Sequence, residues 1–272
     1  MRVNLTLIIP AYKRYENIYR LLCYFSINKV VFNQIIILHD KIEENTDSSI
    51  VMYEIKIRND FHNIKHVIND KRHGIASILL MCNYTVDDER YLLLEDDLWV
   101  NVSLFDQIDS FFDSYYSDEV PVFVGYSCTL NHTNQFFKTY SCMPLWGIVT
   151  LGKYLRQFLL YYDRCIGGSW ADRYTVIDKV ISFNFDCPVF ERYKADFFKQ
   201  NRTSVELKLY NLDFYVNLYL IASNRGVLKN NTSHVVRRDF RFSTNNPTSF
   251  TASHGDYCDT EHDMINGLLM WR

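Results

Sequence analysis

The chain has 272 residues, 48% of them hydrophobic, enough to bury a sizeable core as one large domain and too apolar for a disordered chain. A formal net charge of -3 argues against the basic face on which nucleic-acid binders rely. The seven cysteines are odd in number and scattered without a C-x-x-C pair, so neither a zinc cage nor a disulfide framework is indicated.

Met1 to Asn4 runs straight into Leu5 to Ile9 and then Pro10, too short an apolar run for a signal peptide, and no stretch reaches membrane-spanning length. The expectation is a soluble, cytoplasmic protein. Leu5 to Ile9 reads as the first strand, ended by the turn Pro10-Ala11-Tyr12 because proline cannot donate to a central ladder. A helix over Lys13 to Asn28 follows, with Ile18, Leu21, Leu22 and Phe25 at helical spacing. Gln34 to Asp40 is a second buried strand and completes β-α-β. Asn63 to Asn69 gives a weaker third strand, and because the segment that holds His62 and His66 reads as a strand, these two, four apart, share no helical face and so make no metal pair. Ile75 to Tyr84 reads as a second helix. Tyr91 to Leu94 then reads as a strand covered on both faces that ends in Glu95-Asp96-Asp97. A helix from Ser103 to Tyr116 carries Leu104, Ile108, Phe111, Phe112 and Tyr115 on one side.

This alternation predicts an α/β fold with a mostly parallel, doubly wound sheet and ligands bound beyond the carboxyl ends of its strands. Pro10 to Arg14, Asp40 and the acidic triplet all fall on that edge. Three consecutive carboxylates repel one another unless a cation sits among them, and a hard ion such as Mg2+ or Mn2+ suits carboxylate oxygens. The plainer alternative is a solvated turn whose acids favour the N-terminus of the next helix.

Taken in order, Leu7-Ile8-Ile9-Pro10-Ala11-Tyr12-Lys13-Arg14, Ile37-Leu38-His39-Asp40, Arg72-His73-Gly74-Ile75-Ala76 and Leu94-Glu95-Asp96-Asp97-Leu98 resemble the nucleotide-sugar half of the GT-A glycosyltransferases. The likeness is to the family 2 enzymes and to the N-acetylglucosaminyltransferase I type, which carries a similar L-E-D-D-L. It implies a Rossmann-like GT-A fold in a single domain over 1–272, with 1–118 as the nucleotide-sugar half, from which the sheet is built, and 119–272 as the acceptor side. It further implies that Pro10, Ala11, Tyr12, Arg14, Asp40 and Arg72 hold the nucleotide, that Glu95 and Asp96 face uridine or ribose, and that Asp97 is the metal ligand.

The second half is similar, more loosely, to the acceptor half of bacterial family 2 enzymes. Met143 to Thr150 resembles their S-W-G-W-A-T segment, which lies against the donor sugar and makes Trp146 and Gly147 donor or acceptor contacts. Asn211-Leu212-Asp213 stands where they have S-W-D before a helix, with Leu212 in place of the tryptophan. Ser233-His234-Val235-Val236 and Ala252-Ser253-His254 echo their later serine-containing strand and G-T-H, while Arg237-Arg238-Asp239 replaces an N-I-G turn. Ser169-Trp170-Ala171-Asp172-Arg173 is a rival W-D segment.

What this implies is a metal-dependent, inverting transfer of a sugar from a nucleotide diphosphate, a UDP-sugar by expectation, to a hydroxyl of a glycan or glycoconjugate. Mn2+ or Mg2+ would hold the departing phosphates, and Asp213, or failing it Asp172, would take the acceptor's proton. His254 or His234 would be a second metal ligand. Arg237, Arg238 and Arg241 suit a diphosphate or an anionic acceptor, and equally a solvated basic loop. Two other classes compete. A sugar nucleotidyltransferase needs a glycine-rich loop after the first strand, and Pro10 to Arg14 contains no glycine. A catalytically decayed GT-A-fold protein that binds a glycan or a partner would use the 20 tyrosines and 19 phenylalanines just as an enzyme would.

Overall fold

The computed structural model describes residues 1–42, 47–69, 74–125, 136–139, 147–166, 216, 219–220, 223–230 and 234–237. Leu7, Ile8 and Ile9 alternate between the two faces of the first strand and all three are fully buried, so that strand lies in the middle of a sheet covered on both sides. In chain order the strands are β1 (Arg2–Ala11), β2 (Val31–His39), β3 (Ile64–Ile68), β4 (Arg90–Leu93), β5 (Leu98–Val100), β6 (Val122–Val124), β7 (Phe136–Thr139), β8 (Ile148–Leu151), β9 (Val227–Asn230) and β10 (Val235–Arg237). The helices are α1 (Tyr15–Ile27), α2 (Ser48–Asp60), α3 (Ser103–Ser114) and α4 (Gly152–Ile166), and Gly74–Asn83 is a 3-10 helix.

Eight strands form one sheet in the order β3-β2-β1-β4-β8-β6-β9-β7, while β5 and β10 pair as a separate antiparallel ribbon. The neighbours β3, β2, β1 and β4 are parallel; β8 runs against β4 and β6, and β9 is again parallel to β6. This is the mostly parallel α/β sheet that the alternation predicts. It is not built from the first half alone, because β6 to β9 extend it from the other side of β4. Val122–Val124 and Val227–Asn230 are only three and four residues long, too short to show a period in the sequence.

The steps β1 to β2 and β2 to β3 go the same way along the sheet, so right-handed crossovers put α1 and α2 on one face, where they pack together. The return from β3 to β4 crosses the other face through the 3-10 helix, which touches β1, β2 and α4. Phe105 of α3 packs against Phe25 of α1 and Phe32 of β2, tying α3 to the α1 side. No helix among the described residues is long and apolar enough to cross a membrane.

Two local expectations change. β1 does not stop before Pro10 but runs on to Ala11, which pairs with His39. Ile8 accepts from Leu94 on the β4 side, and Ala11 accepts from Asp40 on the β2 side. By alternation the nitrogen of Pro10 lies on the β4 side, where pairing ends at Leu93 and Leu94, so the missing donor costs no ladder bond. The second change is α2, which the periodicity did not indicate. Only Ile50 and Ile57 of it are buried, and its start is fixed by Asp47, whose carboxylate accepts from the Ser49 N–H at 2.8 Å.

Candidate active site

Beyond Ala11 the chain bends at Lys13, whose φ of 65° is the left-handed region that non-glycine residues rarely enter. The bend presents two donors to one carboxylate. The Tyr12 N–H donates to Asp96 Oδ2 at 2.8 Å, and the Arg14 Nε–H donates to Asp96 Oδ1 at 2.7 Å, across 84 and 82 residues of chain. Arg14 Nη2 pairs with the same oxygen, and Arg14 Nη1 lies 3.2 Å from Asp97 Oδ2. Asp96 and Asp97 are buried, at 5% and 0% exposure, whereas Glu95 is half-buried.

The electrostatics follow from that burial. Desolvation pushes the Asp96 carboxyl above the usual carboxylate range, with Arg14 opposing it. Burial alone would lower the Arg14 guanidinium, but Asp96 and then Asp97 more than offset this, so Arg14 holds its proton more firmly than usual. The solvated-turn alternative is therefore set aside for Asp96 and Asp97. They are paired and desolvated, and α3 begins six residues later at Ser103, so they do not flank its N-terminus.

The base of the same edge is a row across three strands. The Asp40 N–H donates to the Ala11 carbonyl at 3.0 Å and the Asn69 N–H to the His39 carbonyl at 2.9 Å, so the parallel ladder continues one residue past each strand. In-register neighbours share a face, which puts Tyr12, Asp40 and Asn69 side by side. Asp40 and Asn69 are buried, and among the described residues the Asn69 side-chain nitrogen has no hydrogen-bond partner. Asn69 escaped the sequence reading. Its only signal was its place at the carboxyl end of a strand, next to Asp40 in a parallel pair.

The structure does not bring every expected residue to this edge. His234 directly precedes β10, and its backbone bonds to Gly125 and Asn101, while its Nδ1 meets Ser103 Oγ at 2.9 Å. Since Arg237 pairs with Leu98, His234 lies four residues along β5 from Asp97, about 13 Å at the usual strand rise. Burial lowers its imidazole to about 4. The register places the backbone of Arg237, not His234, beside the acidic turn. Gly147 sits at a φ of 71° and accepts from the Gly125 N–H, with Val235 of β10 packed over both glycines. Arg72, Trp146, Asp172, Asp213 and His254 lie outside the described residues.

Among the described residues no group of three His, Cys, Asp or Glu side chains could hold a metal ion by itself. The hard carboxylate oxygens of Asp96 and Asp97 do fit the chemistry of Mg2+ or Mn2+, with donor phosphates completing the shell. Arg14 already meets both of them in this structure, so a metal at Asp97 would share or displace its Nη1 contact.

No family model matches the sequence, and a search of curated proteins gives no match. Solved structures do. The mannosyltransferase PcManGT from Pyrobaculum calidifontis in complex with GDP-Man and Mn2+ is 14% identical over 46% of this chain and 35% of its own, with a TM-score of 0.33. S. aureus TarS 1-349 is 16% identical over 57% of this chain and 48% of its own, at 0.40. A 4-diphosphocytidyl-2C-methyl-D-erythritol synthase is 11% identical over 65% and 86%, at 0.38. The chain thus spans less than half the length of the first two, and at this distance the site is read from its own residues.

Proposed function

We propose that this chain is a metal-dependent glycosyltransferase that moves a sugar from a nucleotide diphosphate to a hydroxyl of a glycan or glycoconjugate. The observation that carries the reading is the junction at Asp96, where the Tyr12 amide and the Arg14 guanidinium from the end of β1 meet the acidic turn after β4. In an open parallel sheet that edge is where a nucleotide lies. Asp40 and Asn69 supply an acceptor and a donor for a base edge, and Pro10, Ala11 and Tyr12 form the wall beside it. Glu95 and Asp96 face the ribose, and Asp97 holds Mg2+ or Mn2+. Bound there, the ion supplies Lewis-acid neutralisation of the departing diphosphate. Arg14 opposes the desolvation that raises the Asp96 carboxyl and so favours its charged form, which is the form a metal or a ribose hydroxyl requires.

On the acceptor side, Asp213 or failing it Asp172 is the general base of an inverting transfer, with Gly147 and Trp146 against the donor sugar and His254 as the candidate for a further metal ligand. Asp213→Asn should lower kcat by roughly 100-fold or more with nucleotide binding unchanged. If that variant is active and Asp172→Asn is dead, the base moves to Asp172. An anomeric configuration retained in the product rules out the single-base mechanism.

One observation favours the decayed alternative. Arg14 already meets both aspartates, so part of their mutual repulsion is offset without an ion. Calorimetry with UDP and Mn2+, followed by a hydrolysis screen across UDP-, GDP- and dTDP-sugars, separates the two. Metal-dependent nucleotide binding with turnover supports the enzyme, and binding without any turnover supports the decayed protein. Asp97→Asn should abolish metal-dependent turnover while the fold stays intact, and full activity in that variant sinks the metal assignment.

A further inference from the structure

Behind the nucleotide edge lies a chain of three side chains that the proposed reaction does not use. Tyr15, fully buried, places its hydroxyl 3.0 Å from His39 Nδ1, and the two rings stack at 5.5 Å with 18° between their planes. His39 Nε2 lies 2.8 Å from His66 Nδ1, and His66 is half-buried at the far end. The position of the chain matters as much as its contents. Tyr15 directly follows Arg14, which grips Asp96 and Asp97. His39 directly precedes Asp40, and its carbonyl holds Asn69. The Tyr15–His39 contact therefore fastens the acidic end of the edge to its base-facing end.

Counting hydrogens gives the chain a direction. With both imidazoles neutral, one proton lies in each of the two hydrogen bonds. If Tyr15 donates to His39 Nδ1, then His39 Nε2–H donates to His66 Nδ1, and the remaining N–H of His66 faces outward. In the reverse order the Tyr15 hydroxyl hydrogen would have no acceptor among the described residues, in a fully buried place, which is costly. A further proton can be taken up only by loading His39 Nδ1, which ends its role as acceptor for Tyr15. Glu54 Oε1 waits 3.6 Å from that nitrogen and is itself held by Arg58 at 2.7 Å. The other charged groups nearby are Glu16 of α1, which bonds Arg20 and Tyr53, Asp40 at the end of β2, and Asp96, whose charge Tyr15 feels. Burial is the largest influence keeping both imidazoles neutral, with Arg58 second.

We propose that Tyr15, by donating to His39 Nδ1, acts as a positioning residue that keeps the His39–His66 pair neutral and so makes nucleotide binding at the Asp40–Asn69 edge insensitive to pH. The inference rests on the nucleotide-site reading above. Tyr15→Phe keeps the stacked ring and removes only the donor, leaving His39 Nδ1 facing the Glu54 carboxylate, an arrangement that favours the charged imidazole.

The test is titration of the full-length chain with UDP and Mn2+ at pH 8 and pH 6, alongside the 15N shifts of the imidazoles by NMR. The native protein should bind with less than about a twofold change between the two pH values, with His39 protonated on Nε2 alone. Tyr15→Phe should bind nearly as well at pH 8 and about tenfold more weakly at pH 6, as expected if without the donor the imidazole pair of the free variant becomes mostly protonated between those two values and nucleotide binding has to expel that proton. Equal weakening of Tyr15→Phe at both pH values, or an unchanged profile, would overturn the proposal. So would an imidazolium at His39 in the native protein at pH 6. If the native chain binds no UDP at either pH, the nucleotide-site reading has failed and the positioning role with it, whereas binding with the wrong NMR signature refutes the relay alone.

Discussion

Arg14 is the residue on which the site depends most. Removing one partner of a buried ion pair is costly, and here two buried aspartates would lose the same guanidinium together. Arg14→Ala should therefore destabilise the fold by roughly 3 kcal/mol, unlike loss of an exposed pair such as Arg20–Glu16. If Asp97 is a metal ligand, millimolar Mn2+ should restore much of the lost melting temperature, because the ion binds only the folded chain. A variant that melts like the native protein, or one that Mn2+ leaves unmoved, would break the link between this pair and a metal site. The acids themselves were legible in the sequence, since consecutive carboxylates after an apolar strand need a cation. That a guanidinium from the bend after β1 meets them was not, because nothing local records a contact that spans 82 residues.

At the scale of elements, legibility followed the strength of the pattern. α1 buries Ile18, Leu21, Leu22 and Phe25, as their spacing predicts. α2 went unseen because two buried residues seven apart make no stripe, and β6 because three residues carry no period. The junction of the β5–β10 ribbon with the main sheet was hidden for another reason, since it depends on side chains that are absent. A Cβ on Gly125 would stand 2.6 Å from Val235 Cγ2 and 2.9 Å from Leu104, and one on Gly147 would stand 2.7 Å from Val235 Cγ2 at a φ that already disfavours it. Gly125→Ala should cost about 1–3 kcal/mol by overpacking. Combining it with Val235→Ala, which removes the clashing methyl, should cost less than the sum of the two single changes. Additive losses in urea unfolding would mean that Val235 is not what excludes a side chain at Gly125.

The whole molecule carries a pH dependence that no single element discloses. His39 is held at about 3 and His234 at about 4, both chiefly by burial, and His66 is lowered in the same direction. An unfolded histidine titrates near 6.5, so below that value the unfolded chain binds protons that the folded chain refuses. A lowered folded pKa contributes stability that is present above about 6.5 and is lost as pH falls toward the folded value. The loss should therefore begin near pH 6.5 and continue to about 4 for His234 and about 3 for His39, at up to about 1.4 kcal/mol per pH unit for each proton. By pH 5 the two buried imidazoles together should have removed on the order of 4 kcal/mol, before most exposed carboxylates begin to titrate. Urea unfolding at pH 8, 6.5 and 5 measures this directly. The curve should be nearly level between the first two values and fall steeply to the third, and His39→Gln combined with His234→Gln should flatten that fall even if it lowers the plateau. A native protein as stable at pH 5 as at pH 8 would mean that these imidazoles are not held neutral, and with that the proton order running from Tyr15 to His66 would lose its physical basis.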